Sequence, residues 1–203
     1  MRQFFPACML FVLMSLPLGQ AQANDQEILE LAQEVTDQVL SRTASRRSEL
    51  KAHPERLPEV LGDLVNTYFD FPYLTRQAMG KYARRASASQ MSTIEREFAR
   101  LLVRTYGVAV LNYSGKPIQY ERPVRSGKDR NRVRVDSKVT ASNGSLVSIK
   151  YYLHQVGGKW KVYDVKIDNV SLNTTYRSNF NEEISRGGID GLISMLKSKN
   201  RAG

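Results

Sequence analysis

A change of hydrophobic period at residues 115–117 constrains this chain more than any other feature. Before it, apolar residues recur every three or four positions. After it, they alternate. Side chains return to one face of a helix after about 3.6 residues and to one face of a strand after two, so no single element type satisfies both patterns. A helical half followed by a strand half points to an α+β fold, with helices laid across a curved antiparallel sheet.

In the first half, Ile28, Leu31, Ala32, Val35, Val39 and Leu40 mark one side of a helix over residues 24–47, with Asn24 or Asp25 able to cap it. Leu57, Val60, Leu61, Leu64 and Val65 mark a second helix after Pro54, which Pro72 breaks. Residues 72–87 read as a short helix weakened by Gly80. The longest helix is expected over 91–115, with Ser92 and Glu95 as a capping box and Ile94, Phe98, Leu101 and Leu102 on its apolar face.

About four strands are expected in the second half. Val133, Val135 and Val139 alternate with Arg132, Arg134, Asp136 and Lys138. Asn143-Gly144 predicts a two-residue hairpin turn. Val147, Ile149, Tyr151 and Leu153 then share a face, and Gly157-Gly158 marks the next turn. Helical spacing returns from Thr174 with Tyr176, Phe180 and Ile184, and residues 187–198 read as a last short helix.

The strand after Gly158 carries the most acidic-looking stretch, "KWKVYDVKIDNVS". Asp164, Lys166 and Asp168 share one parity and read as a solvated face, while Tyr163, Val165 and Ile167 point the other way. Upstream the phase differs, because Trp160 and Val162 have the parity of Asp164. A bulge between Val162 and Tyr163 would reconcile the two, and so would burial of both faces.

The first residues read as a targeting segment. Residues 1–23 combine Arg2, a short apolar run and Ala21-Gln22-Ala23, the layout of a secretory signal peptide cleaved before Asn24. One domain is then expected over residues 24–203. The only cysteine, Cys8, falls in the leader, so the exported chain has neither a disulfide nor a thiolate nucleophile. The formal net charge is +10, and loss of Arg2 lowers it by one. For an exported protein, such a charge suggests anionic head groups or acidic partner surfaces more than nucleic acid.

Catalytic patterns are sparse. His53 and His154 are the two histidines, the first before a proline and the second on the polar parity of its strand. Each Gly-Lys pair lacks the Ser or Thr that a phosphate loop needs next. Arg84-Arg85 and the run Arg122, Arg125, Lys128, Arg130, Arg132, Arg134 read as solvated faces or a docking surface. No metal site, cofactor or enzymatic activity is expected. Aromatics, by contrast, are plentiful: ten tyrosines and seven phenylalanines, with Tyr68, Phe69, Phe71 and Tyr73 close together. A bent sheet under long amphipathic helices can leave an apolar gap between its layers, and a long apolar ligand can fill it.

The leader, "YFDFPYLTRQAMGKYAR", "LLVRTYGVAVLNYSG" and "WKVYDVKIDNVSLNTTYRSNFNEEISRGGIDGLISML" resemble the MlaC family of periplasmic phospholipid-binding, or toluene-tolerance, proteins. The likeness runs over the whole exported chain, with Trp160, Tyr163, Asp164, Val170, Ser171, Tyr176, Phe180 and Gly191 as the positions that align. It implies an NTF2-like cone with a deep apolar cavity for acyl chains. It also implies a soluble periplasmic carrier between an outer-membrane lipoprotein complex and an inner-membrane ABC transporter with its substrate-binding component. The residues expected to line the cavity are Phe69, Phe71, Tyr73, Met79, Phe98, Leu102, Tyr106, Val135, Ile149, Tyr151, Tyr163, Val165 and Ile167. Two rival readings are an exported hydrolase using His154, Asp164 and Ser148, and a lipid-free structural adaptor.

Overall fold

A computed structural model describes residues 19–113, 115–127 and 129–201. Most of the expected leader, including Arg2 and Cys8, lies outside these residues. The first helix, α1 (Gly19–Ala44), is followed by α2 (Arg47–Ala52), α3 (Leu57–Tyr68), α4 (Phe71–Met79) and α5 (Ala88–Leu111). Six antiparallel strands come next: β1 (Gln119–Tyr120), β2 (Val124–Ser126), β3 (Asp129–Thr140), β4 (Leu146–Val156), β5 (Lys159–Ile167) and β6 (Val170–Ser171). The last helix, α6 (Leu172–Arg201), bends at Gly188, where φ is +68°.

Local chemistry sets the helix ends. The side chain of Asp70 accepts the backbone N–H of Tyr73 at 2.9 Å, and Pro72 sits in the first turn. Pro72 therefore opens α4, and α3 already ends before Phe69. Gly80 closes α4 at φ +54°, a conformation that costs glycine little, and a short 3₁₀ turn follows it. The capping box of α5 is Ser87 with Gln90, five residues earlier than the expected Ser92 and Glu95. Both pairs fit the motif; the earlier one lets the helix begin directly after the 3₁₀ turn.

The sheet order is β1-β3-β4-β5-β6, with β2 also paired to β3. Six strands are present where about four were expected; three of them, β1, β2 and β6, contain only two or three residues, too few for alternation to be visible. The β3–β4 loop is one residue longer than the expected two-residue turn: Ala141 N–H donates to Ser145 O at 2.9 Å. Gly157 and Gly158, both at positive φ, make the two-residue β4–β5 turn.

A bulge lies at Tyr163. Tyr152 pairs with Asp164 and Leu153 with Val162, which leaves Tyr163 as the extra residue. Trp160 and Val162 upstream therefore share a face with Val165 and Ile167 downstream. On that inner face Val135 pairs with Tyr151, and Tyr151 with Val165. The outer face carries Arg134, Tyr152 and Asp164 in one row and Asp136, Lys150 and Lys166 in the next.

Three buried clusters hold the layers together. Ile28 of α1 packs on Val133, Leu153 and Trp160 of the sheet. Leu50, Leu57 and Leu61 pack on Val103 and Leu111 of α5. The largest cluster joins α4, α5 and α6, with Phe98 lying against Phe180 and Tyr176 at centroid distances of 4.8 and 4.7 Å.

Candidate functional site: an apolar cavity between the layers

The three clusters leave an apolar cavity of about 320 Å³ between the sheet and the helices. Its walls come from α1, α3, α4, α5 and the three long strands. That volume is at the lower end of the range, about 300–1,000 Å³, that small-ligand pockets occupy. An unfilled apolar space forfeits dispersion contacts along its whole lining, which favours a ligand that supplies them.

The helix α1 forms one wall. Leu31, Ala32, Val35, Thr36, Val39 and Leu40 line the space, and each is only half-buried although each faces apolar neighbours. The helix is buried on either side of this stretch, at Ile28 and at Thr43. Between them, Thr36 Oγ1 lies 2.6 Å from the Tyr120 hydroxyl.

Of the residues expected at the cavity, Phe69, Phe71, Leu102, Tyr106, Val135, Ile149, Tyr151, Val165 and Ile167 line it. Tyr73, Met79 and Phe98 do not. Met79 and Phe98 are fully buried within the α4–α5–α6 cluster. The Tyr73 ring lies 4.8 Å from the His154 ring and 5.5 Å from that of Tyr163. Tyr163 contributes to the wall at the bulge, but its ring turns to the outer face, where it also meets Tyr152. The sequence reading passed over the α1 residues, Trp160, Val162 and Leu153. The helical repeat of α1 and the inner parity of Leu153 were available as signals. Trp160 and Val162 depended on the bulge.

Polar groups at the wall are satisfied or neutral. Asp164 accepts from Ser171 Oγ at 2.7 Å and from the backbone N–H groups of Val165 at 2.9 Å and Asn173 at 3.1 Å. It joins β5 to the start of α6, so this carboxylate is a structural clasp and not part of a solvated face. Asp168 likewise accepts the Ser148 N–H at 3.1 Å. Burial pushes the Tyr151 phenol well above its usual range and keeps it uncharged, and burial raises Tyr106 as well. The indole N–H of Trp160 is the exception, buried without a hydrogen-bond partner.

The expected surface position of His154 also differs. Its Nε2 lies 2.9 Å from Asp70 Oδ2, with both side chains nearly buried. Asp70 thus caps α4 with one oxygen and holds β4 with the other, while its N–H donates to Val162 O at 2.9 Å. His154 is committed to Asp70 and Asp164 to Ser171, so the Ser148, His154 and Asp164 of a hydrolase do not assemble. Asp70→Ala removes the cap and strands His154. We expect a loss of about 2–4 kcal/mol from these two effects together, read from urea unfolding, with Asp70→Asn losing roughly half as much.

The geometry has counterparts in known proteins. The MlaC protein family profile matches residues 33–198. The chain is 27% identical over 183 residues to the toluene tolerance protein ttg2D of Pseudomonas putida, covering 90% of this chain and 83% of that protein. It is 26% identical to the intermembrane phospholipid transport system binding protein MlaC of Haemophilus influenzae, covering 92% and 88% of the two chains. A solved phospholipid-binding protein from Ralstonia solanacearum, in complex with a phospholipid, superimposes with a TM-score of 0.71 at 30% identity, over 84% of this chain and 94% of that one. With a family match over most of its length and a shared fold, this chain belongs to the MlaC family.

Proposed function

We propose that this protein is a soluble periplasmic phospholipid carrier. Acyl chains enter the cavity, and the lipid moves between an outer-membrane lipoprotein complex and an inner-membrane ABC transporter, which maintains the lipid asymmetry of the outer membrane. The observation that carries the reading is the apolar cavity between the sheet and α1, in a chain whose relative of known structure holds a phospholipid. The physics of a carrier fits. Each methylene buried from water is worth about 0.8 kcal/mol, so a lipid does not escape into solvent. Transfer from a bilayer into an apolar cavity exchanges one apolar surrounding for another and is nearly neutral, so loading and unloading need no chemistry in this chain. Direction is then set by the partners.

Organic extraction of gently purified protein, followed by mass spectrometry, tests the proposal: diacyl phospholipid is the expected finding, and its absence overturns the reading. Trp160 supplies an independent signal, because it is the only tryptophan and it lines the cavity. Delipidation is expected to change the wavelength and intensity of its emission, and added phospholipid to restore both. Emission indifferent to lipid would place the ligand elsewhere.

A further inference from the structure

A second concavity lies behind the α3–α4 junction. It is a groove of about 800 Å³ between α3, α4, α5 and the β4–β5 hairpin, and it carries a set of basic side chains that the cavity lacks. Arg76 of α4, Arg96 and Arg100 of α5 and Lys161 of β5 line it. Arg96 and Arg100 are four apart on one helix and so project to the same side. Arg96 Nε is 3.4 Å from Glu97, but no carboxylate among the described residues comes within 4.0 Å of Arg76, Arg100 or Lys161. Two acids, Asp70 and Glu95, share the lining, so four cations face two carboxylates, and Asp70 is already engaged by His154 and the α4 cap.

Cations gathered in excess of their counter-charge repel one another, and an oxyanion between them removes that repulsion and accepts their hydrogen bonds. Position adds a second constraint. Phe69, Phe71 and Val103 line both the groove and the apolar cavity. The two phenylalanines stack with centroids 5.7 Å apart at an interplanar angle of 17°, and the two spaces meet at these side chains. A basic groove and an apolar cavity that meet at shared side chains match the two ends of a phosphate-bearing amphiphile.

We infer that the groove lined by Arg76, Arg96, Arg100 and Lys161 is a phosphate site, which holds the head-group phosphate of a phospholipid whose chains pass Phe69, Phe71 and Val103 into the cavity. The inference rests on the carrier reading above. Arginine forks suit the phosphodiester oxygens better than lysine does, because two parallel N–H donors meet two oxygens.

The test uses the full chain with two exposed arginines reversed, Arg76→Glu with Arg100→Glu, and a milder partner, Arg76→Gln with Arg100→Gln, should the first fail to fold. Arg42→Glu with Lys51→Glu, both exposed and outside the groove, matches the change in net charge. Uptake from phosphatidylglycerol vesicles is measured beside the affinity for N-phenyl-1-naphthylamine, a neutral apolar probe of the cavity. The expected result is a fall in lipid uptake of about tenfold to a hundredfold in the groove variants, the size of one or two lost charge-assisted contacts. Probe affinity is unchanged, and the charge-matched control keeps most of its uptake. The inference is overturned if groove and control variants lose uptake equally, since net charge alone then explains the loss, or if probe affinity falls in parallel. A groove that binds sn-glycerol 3-phosphate through these arginines while lipid uptake ignores their reversal is a site for free phosphates, which also overturns it. A wild-type chain that takes up neither probe nor lipid removes the carrier reading, and this inference with it.

Discussion

Val165→Arg is expected to abolish lipid carriage. Val165 is 7% exposed, pairs with Tyr151 and lines the cavity on the inner side of the bulge. An arginine there brings a charge into the space that acyl chains would occupy, and Asp164, the acid in the cavity lining, is already held by Ser171 and by the N–H groups of Val165 and Asn173. The effective penalty for an unpaired buried ion is several kcal/mol, enough to exclude the lipid or unfold the chain. The informative result is a variant that keeps its circular dichroism spectrum and carries no lipid. Lys166→Glu, one residue on, is the control. Lys166 lies on the outer face opposite Lys150, and its ammonium lies 5.3 Å from the Tyr152 ring centre. Reversing it removes a like-charge pair at the expense of a cation–π contact, so stability should change by only about 0.5 kcal/mol and lipid content should not change. If Lys166→Glu loses lipid and Val165→Arg retains it, the inner and outer faces of β5 are exchanged.

Phe98→Ala is expected to give the largest loss of stability with no loss of the site. Phe98 is fully buried and packs edge-on against both Tyr176 and Phe180, joining α5 to α6. Truncating a buried phenylalanine to alanine costs about 3–5 kcal/mol, the larger part of the stability of many domains. Because Phe98 does not line the cavity, the folded fraction should still hold lipid in the wild-type ratio, measured as lipid per mole of folded protein below the unfolding midpoint. A folded Phe98→Ala protein empty of lipid would show that the α5–α6 cluster and the cavity are one space.

These two residues mark how far the sequence could be read. Val165 and Phe98 are both apolar residues at the right period, and the sequence put both at the cavity. Periodicity identifies the side of an element that avoids water, but a packed core and a ligand cavity demand the same side. What separates them is the distance to the facing element, which sums the placement of every helix and strand between. Phe98 meets two aromatic rings from α6, more than 70 residues away in the chain, and so is core. Val165 belongs to the same buried cluster but also meets the gap beneath α1. The same reasoning covers α1 itself: its apolar stripe was visible, but its role as a cavity wall followed from where Ile28 docks on the sheet.

Some features needed no tertiary structure. The change of period at residues 115–117 required helices on a sheet, because backbone geometry admits only those two repeats. The broken parity between Val162 and Tyr163 was visible too, but it allowed either a bulge or burial of both faces; the strand register chose the bulge, whose extra residue returns Trp160 and Val162 to the face of Val165 and Ile167. Polar partners belong to the tertiary structure alone. Asp70 and His154 are 84 residues apart, and Asp164 closes on Ser171 only after the chain turns back through Asp168 and Asn169, both at positive φ. Local pattern treats such residues as solvated, the default for an unpaired charge. Whether a partner arrives is decided by the fold, because the hydrogen bond that offsets burial is made between segments that no local repeat connects.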